Sequence, residues 1–177
     1  MKSAFLDALD LSSLTPVRIW MAMSAEARGN SARAFFAQAA KDDPLRLVID
    51  TTIARNLRFR PESVKKMPVD KKAGYLVRLV HPDENLAAGL LQALHLEAQR
   101  PLLSAFLDQV GVAHDNGHID AAIKLEAPSA DKLRAAADKA YATFPPEEVD
   151  VYLATLVVFD PDTWIGLHAI LERRKKA

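Results

Sequence analysis

The clearest structural signal in this 177-residue chain is the stretch PPEEVDVYLATLVVF, residues 145–159. Proline suits the first position of a helix because its missing N–H would be unpaired there, and Glu147 and Glu148 favour the positive end of the helix dipole. Beyond this first turn, only Asp150 and Thr155 interrupt an apolar surface when residues are placed 100° apart. A helix that is apolar nearly all round must be surrounded by other elements. The stretch therefore predicts a central helix, although its β-branched residues leave a strand as the alternative.

Proline marks helix starts elsewhere in the chain as well. Asp43 precedes Pro44 and Asp160 precedes Pro161, and aspartate in this position caps a helix whose first residue is proline. Leucines cover more than half of the circumference of residues 83–98, which predicts a second central helix. The predicted helices span residues 3–10, 15–23, 25–41, 44–58, 68–80, 83–98, 101–110, 129–143, 146–159 and 161–175.

The composition agrees with a helical protein and excludes several classes of function. The chain has 30 alanines, 23 leucines and only 6 glycines, which favours helices packed closely through small side chains. Because it has no cysteine, disulfides, thiolate catalysis and Cys-ligated zinc are excluded. The longest uncharged apolar run, residues 151–159, is much shorter than the roughly 18 residues of a membrane span. We therefore expect a soluble, cytoplasmic protein without a membrane span.

A short motif recurs three times, beginning at Met23, Met67 and Phe144. Each copy leads through one helix to a second helix that starts with proline, which is typical of stacked helical hairpins, although any bundle of proline-started helices could show it. We predict an all-α protein of about nine or ten helices, arranged as an irregular stack of helical hairpins that is either helical-repeat-like or an orthogonal bundle. We expect one domain over residues 1–177, with two sub-lobes that meet near 111–128 as the alternative.

The histidines are the candidates for catalysis or metal binding, because the sequence contains no phosphate-binding loop and no named hydrolase or metalloprotease motif. Two of them flank an Asp-Asn-Gly turn signal in segment 111–128, so they belong to a loop or a small hairpin tip. Imidazole and carboxylate groups are zinc ligands, but no further ligand is visible nearby. We therefore predict no metal and no cofactor. The alternative site would consist of His95, His114, Asp115 and His118.

Positive charge is concentrated in residues 55–78, although the 23 basic and 23 acidic residues of the whole chain cancel. Eight basic residues face two acidic ones here, Glu62 and Asp70, so this segment carries a net charge of +6 and the rest of the chain −6. Such a segment is either a solvated helix surface or an interaction surface. The candidate interaction residues are Arg55, Arg58, Arg60, Lys65, Lys66, Lys71, Lys72 and Arg78.

These observations favour a non-catalytic binding or scaffolding module that presents a helical surface to an acidic protein partner. A small metal-dependent enzyme that uses the histidines is one alternative. A nucleic-acid-associated protein that uses the basic segment is a second alternative, although no nucleic-acid-binding motif surrounds this segment. The oligomeric state is left open by the sequence.

Overall fold

The computed structural model describes residues 3–40, 42–120 and 124–177, and in these residues the protein is all-α, as predicted. The structure is 75% helical. No helix among the described residues has the length and apolar character of a membrane span. A 3-10 turn, Leu11–Ser13, and a π-helical turn, Leu94–Ala98, accompany the α-helices. The α-helices are α1 (Ala4–Ala8), α2 (Pro16–Ala22), α3 (Ala25–Gln38), α4 (Pro44–Leu57), α5 (Pro61–Lys65), α6 (Val69–Leu79), α7 (Glu84–Ala93), α8 (Arg100–Val110), α9 (Ala130–Thr143), α10 (Pro146–Phe159), α11 (Pro161–Trp164) and α12 (Gly166–Lys176).

The predicted helix starts are confirmed at atomic detail. The Asp43 carboxylate accepts hydrogen bonds from the backbone N–H groups of Leu45 and Arg46, at 2.9 and 3.1 Å, and Pro44 is the first residue of α4. Asp160 caps α11 in the same way. Residues 146–159 are helical throughout, so the strand alternative was wrong. Capping and proline position therefore outweigh β-branched composition in this stretch.

Two elements differ from the prediction. Helix α5 was missed because its five residues are too few to show a helical period. The predicted helix 161–175 is divided into α11 and α12, which meet around Ile165. Gly166 begins α12, and a Cβ atom at this position would lie 2.7 Å from a methyl group of Leu133. The absence of a side chain at Gly166 therefore allows α12 to pack closely on α9.

The chain divides into two compact units. The first unit comprises Met1–Met23 and Gln99–Ala177, and the second unit comprises Ser24–Ala98. Of segment 111–128, residues 111–120 and 124–128 belong to the first unit, whereas residues 121–123 lie outside the described residues. The assignment of residues 1–177 to a single domain and the internal repeat both stay predictions.

In the second unit, α3 lies at the centre, since it packs against α6, α7 and the π-helical turn. The small side chains of Ser31 and Ala32 are fully buried there, and the Ser31 hydroxyl donates a hydrogen bond of 2.7 Å to the carbonyl of Leu90. Residues 83–98 were predicted to be central, and their leucines do enter the core, but α3 packs against them and against α6 as well. The buried leucines are Leu86, Leu90, Leu91 and Leu94.

In the first unit, α10 is the central helix, as predicted. It packs against α1, α2, α9, α11 and α12, and seven consecutive residues, 149–155, are buried. Leu156, by contrast, is only half-buried. The helices packed around α10 therefore cover its last turn less completely than its middle.

Segment 111–128 contains the hairpin tip that the Asn-Gly signal predicts. Asp115 and His118 exchange two backbone hydrogen bonds of 2.9 Å across Asn116 and Gly117, which have φ angles of 49° and 90°. A two-residue turn with positive φ at both positions is type I′, which asparagine and glycine favour. A Cβ atom at Gly117 would also collide with the side chain of Leu103. Glycine is therefore required here for both conformation and space.

Candidate functional site

Seven of the eight candidate cations lie on the surface of the second unit. They follow the chain from the last turn of α4, through α5, to α6. The same segment contains two exposed carboxylates, Glu62 and Asp70, so the net charge of this surface is +5. We refer to them as the basic surface: Arg55, Arg58, Arg60, Lys65, Lys66, Lys71 and Arg78.

Lys72 is the exception, and its assignment to an interaction surface was wrong. Its ammonium group lies 3.0 Å from both carboxylate oxygens of Asp50, and the two residues are 1% and 4% exposed. The same ammonium group lies 5.4 Å from the ring centroid of Phe36. A buried charge requires a partner of this kind because desolvation would otherwise cost several kcal/mol. In the sequence, Lys72 shares a helix face with Leu76, which indicates burial but does not identify Asp50 as its partner.

Five members of the basic surface form neither an ion pair nor a cation–π contact within the part of the chain that the structure describes. Lys65 binds Glu62 at 2.9 Å and lowers the pKa of that carboxyl group below its usual value. Arg78 lies over the Tyr75 ring at 5.1 Å. Asp70 is paired at 4.0 Å with Arg33, which lies outside the segment. The cations that remain without either kind of contact are Arg55, Arg58, Arg60, Lys66 and Lys71.

Large apolar side chains are exposed close to these cations in sequence. Leu47 and Val48 on α4 are 40% and 55% exposed, and Phe59 and Val69 are 43% and 40% exposed. Among the described residues, seven large apolar side chains are exposed, and these four lie between positions 47 and 69. The second unit therefore carries exposed cations and exposed apolar side chains on the same stretch of the chain, residues 47–78.

The structure engages His114 in the hairpin instead of in a metal site. Its Nδ1 atom accepts a hydrogen bond of 3.0 Å from the N–H of Gly117, and its Nε2 atom lies 3.2 Å from a carboxylate oxygen of Asp108. A neutral imidazole with its proton on Nε2 satisfies both contacts. One ring nitrogen therefore closes the hairpin tip, and the other links it to α8.

The other members of the alternative site are not brought to His114 as ligands. Asp115 and His118 are exposed and pair with each other through their backbone. His95 belongs to the second unit, where it is buried in the π-helical turn. The described residues contain no group of three or more His, Asp or Glu side chains that could hold a metal ion.

A buried polar cluster in the first unit was not foreseen. The Asp150 side chain is 0% exposed and accepts hydrogen bonds from the hydroxyls of Tyr141 and Ser3, at 2.6 and 2.5 Å. The Arg174 guanidinium lies 3.7 Å from the carboxylate and 3.7 Å from the centroid of the Tyr141 ring. Four separate parts of the chain therefore meet at one carboxylate.

The electrostatics of this cluster are dominated by burial. Desolvation raises the pKa of Asp150, and the hydrogen bonds from Ser3 and Tyr141 oppose that effect only in part. Burial, together with the neighbouring carboxylate, also raises the pKa of Tyr141. Since Asp150 has no solvent access, the cluster joins α1, α9, α10 and α12 and is not placed to act on a substrate. The signal for it was the single carboxylate within the apolar part of residues 145–159.

The second unit also has a pocket of about 280 Å³ between α3, the start of α4 and α7. Asp43 is the charged residue in its lining, and its carboxylate already caps α4. Neutral amides, Gln38 and Gln92, supply the other polar side chains. The pocket therefore presents no group for acid, base or nucleophilic chemistry.

Comparison of this chain with protein-family models, curated protein sequences and solved structures gave no match.

Proposed function

We propose that this protein is a non-catalytic binding module whose basic surface recruits an acidic protein partner. The observation that carries the proposal is the set of five exposed cations that form neither an ion pair nor a cation–π contact within the described residues. Charges of one sign that are not neutralised internally create a potential that steers and orients an oppositely charged partner. The proposal includes a cytoplasmic location and a helical-repeat architecture, which stay predictions.

The apolar side chains next to the basic surface support a protein as the partner. Charge contributes mainly to the rate and specificity of association, whereas buried apolar contacts contribute most of the affinity. Phe59 and Val69 lie on either side of α5 in sequence, close to the exposed cations. A partner with acidic and apolar side chains can use both kinds of contact.

The two alternative functions have weaker support. A histidine-based metal enzyme needs free ring nitrogens, but the nitrogens of His114 are engaged by Gly117 and Asp108. A nucleic-acid-binding function needs a surface of uninterrupted positive charge, but Glu62 and Asp70 are exposed among the cations.

Two variants with equal changes in charge test this proposal. The surface variant carries glutamine at Arg55, Arg58, Arg60, Lys66 and Lys71. The control variant carries glutamine at five exposed cations of the first unit, Lys124, Lys132, Arg134, Arg173 and Lys176. In pull-downs from cell extract analysed by mass spectrometry, acidic proteins should be retained by the wild type and the control variant and lost from the surface variant. Equal retention by both variants contradicts the proposal, and nucleic acid retained by the wild type favours the second alternative.

A further inference from the structure

The exposed face of α4 carries apolar side chains at one end and a basic side chain at the other. Leu47, Val48, Thr51 and Arg55 are exposed, and their spacing places them within about 100° of one another around the helix axis. The opposite face carries Ile49 and is buried in the second unit. We call the four exposed residues the α4 stripe.

The stripe changes from apolar to basic along the helix. Its first two side chains are aliphatic, and its last is Arg55, which lies about 10 Å further along the axis than Val48. Arg58 follows directly at the C-cap, where its backbone is left-handed with a φ angle of 54°. The stripe contains no carboxylate, and the one acidic residue of α4, Asp50, is buried against Lys72.

We propose that the partner binds this stripe with an amphipathic acidic helix. The inference rests on the proposed function and adds the binding site and the chemistry of the partner segment. Apolar side chains of that segment would cover Leu47 and Val48, and its carboxylates would pair with Arg55 and Arg58. Because the stripe lies on a helix, its apolar and basic positions are seven residues apart, and a helical partner reproduces that spacing on its own face.

The charges of segment 55–78 favour a protein segment over an anionic membrane. Glu62 and Asp70 have side chains that are 71% and 87% exposed within the same basic segment. A membrane surface that is negative everywhere would repel both carboxylates. A protein segment can place its carboxylates opposite the cations alone, so charge complementarity is satisfied at Arg55 and Arg58.

The test compares two synthetic peptides of identical composition in fluorescence anisotropy titrations. In the amphipathic peptide, leucines and glutamates form one helical face with a seven-residue separation; in the scrambled peptide, this face is destroyed. We expect the amphipathic peptide to bind the wild type about tenfold more tightly than the scrambled peptide. Serine at Leu47 and Val48 should remove that difference, whereas serine at Phe159 and Ile165, which are exposed in the first unit, should preserve it. The thermal midpoint of each variant reports on its folding.

The possible failures are distinguishable. Equal binding of both peptides, unchanged by serine at Leu47 and Val48, would overturn the α4 stripe as the binding site. The proposed binding of acidic proteins would still stand. If neither peptide binds the wild type, the proposed function fails as well. Binding to phosphatidylserine vesicles that serine at Leu47 and Val48 abolishes would show that the stripe contacts lipid and would overturn the protein partner.

Discussion

The ammonium nitrogen of Lys72 lies 3.0 Å from both carboxylate oxygens of Asp50, inside the core of the second unit. This ion pair joins α4 to α6, the two longest helices that contribute cations to the basic surface. Its charges cancel within the core. The pair therefore belongs to the framework of the second unit, whereas its neighbour Lys71 belongs to the surface.

Removing one partner of this pair should destabilise the protein strongly. Asp50→Ala leaves the Lys72 ammonium buried without a counter-ion, so we expect a loss of about 3–5 kcal/mol in the free energy of unfolding. Lys71→Gln, one residue away but exposed, should change it by no more than about 0.5 kcal/mol. Chemical denaturation measures both values. Similar costs for the two substitutions would show that the pair does not contribute as described.

The Asp150 cluster predicts a dependence of stability on pH. Because burial raises the pKa of Asp150 in the folded protein, ionisation of this group costs stability, and its contribution is lost as pH rises through the folded pKa. We expect the free energy of unfolding of the wild type, minus that of Asp150→Asn, to decrease as pH rises from about 4 toward neutrality.

Tyr141→Phe provides the matched comparison for that pH series. It removes a hydrogen bond that favours the ionised carboxylate, so the total decrease should be larger and extend to higher pH in this variant than in the wild type. Thermal or chemical unfolding in a series of buffers measures both effects. A difference between wild type and Asp150→Asn that increases with pH would contradict the assignment.

Alanine substitutions at the two glycines with positive φ distinguish the cost of backbone strain from the cost of a steric collision. At Gly111, φ is 80° and a Cβ atom would have no neighbour within 4 Å, so alanine should cost about 1–2 kcal/mol through strain alone. At Gly117, φ is 90° and the Cβ atom would also collide with Leu103, so alanine should cost more. Equal costs in chemical denaturation would mean that the hairpin tip does not pack on α8.

Two leucines test the position of the cores. Leu90 is 0% exposed, so Leu90→Ala should cost about 2–5 kcal/mol. Leu156 lies on the other predicted central helix but is half-buried, so Leu156→Ala should cost clearly less. Measured free energies of unfolding in the reverse order would contradict the burial described for α10.

Local signals in the sequence were sufficient for the hairpin tip and for most of the helices, the exceptions being α5 and the division of residues 161–175. The caps at Asp43 and Asp160 and the Asn-Gly pair act over a few residues, so the chain carries them in readable form. The strand alternative for residues 149–159 was resolved by the same kind of evidence.

The contents of the buried sites depend on contacts between distant residues, and local patterns do not show these. Lys72 was counted as a surface cation because its partner, Asp50, lies 22 residues away. Asp150 was noticed as an interruption in an apolar helix, but its partner Ser3 is separated from it by 147 residues. The basic surface could be predicted in outline because exposed charge needs no partner.

The most direct test of the central claim is the affinity for a polyglutamate peptide at low and high salt. We expect the wild type and the control variant to bind this peptide and to lose affinity together as salt rises, since the Debye length falls from about 10 Å at 0.1 M to about 3 Å at 1 M. The surface variant, with glutamine at Arg55, Arg58, Arg60, Lys66 and Lys71, should bind much more weakly at low salt. Equal affinity of the surface and control variants at low salt would contradict the claim that the basic surface recruits an acidic partner.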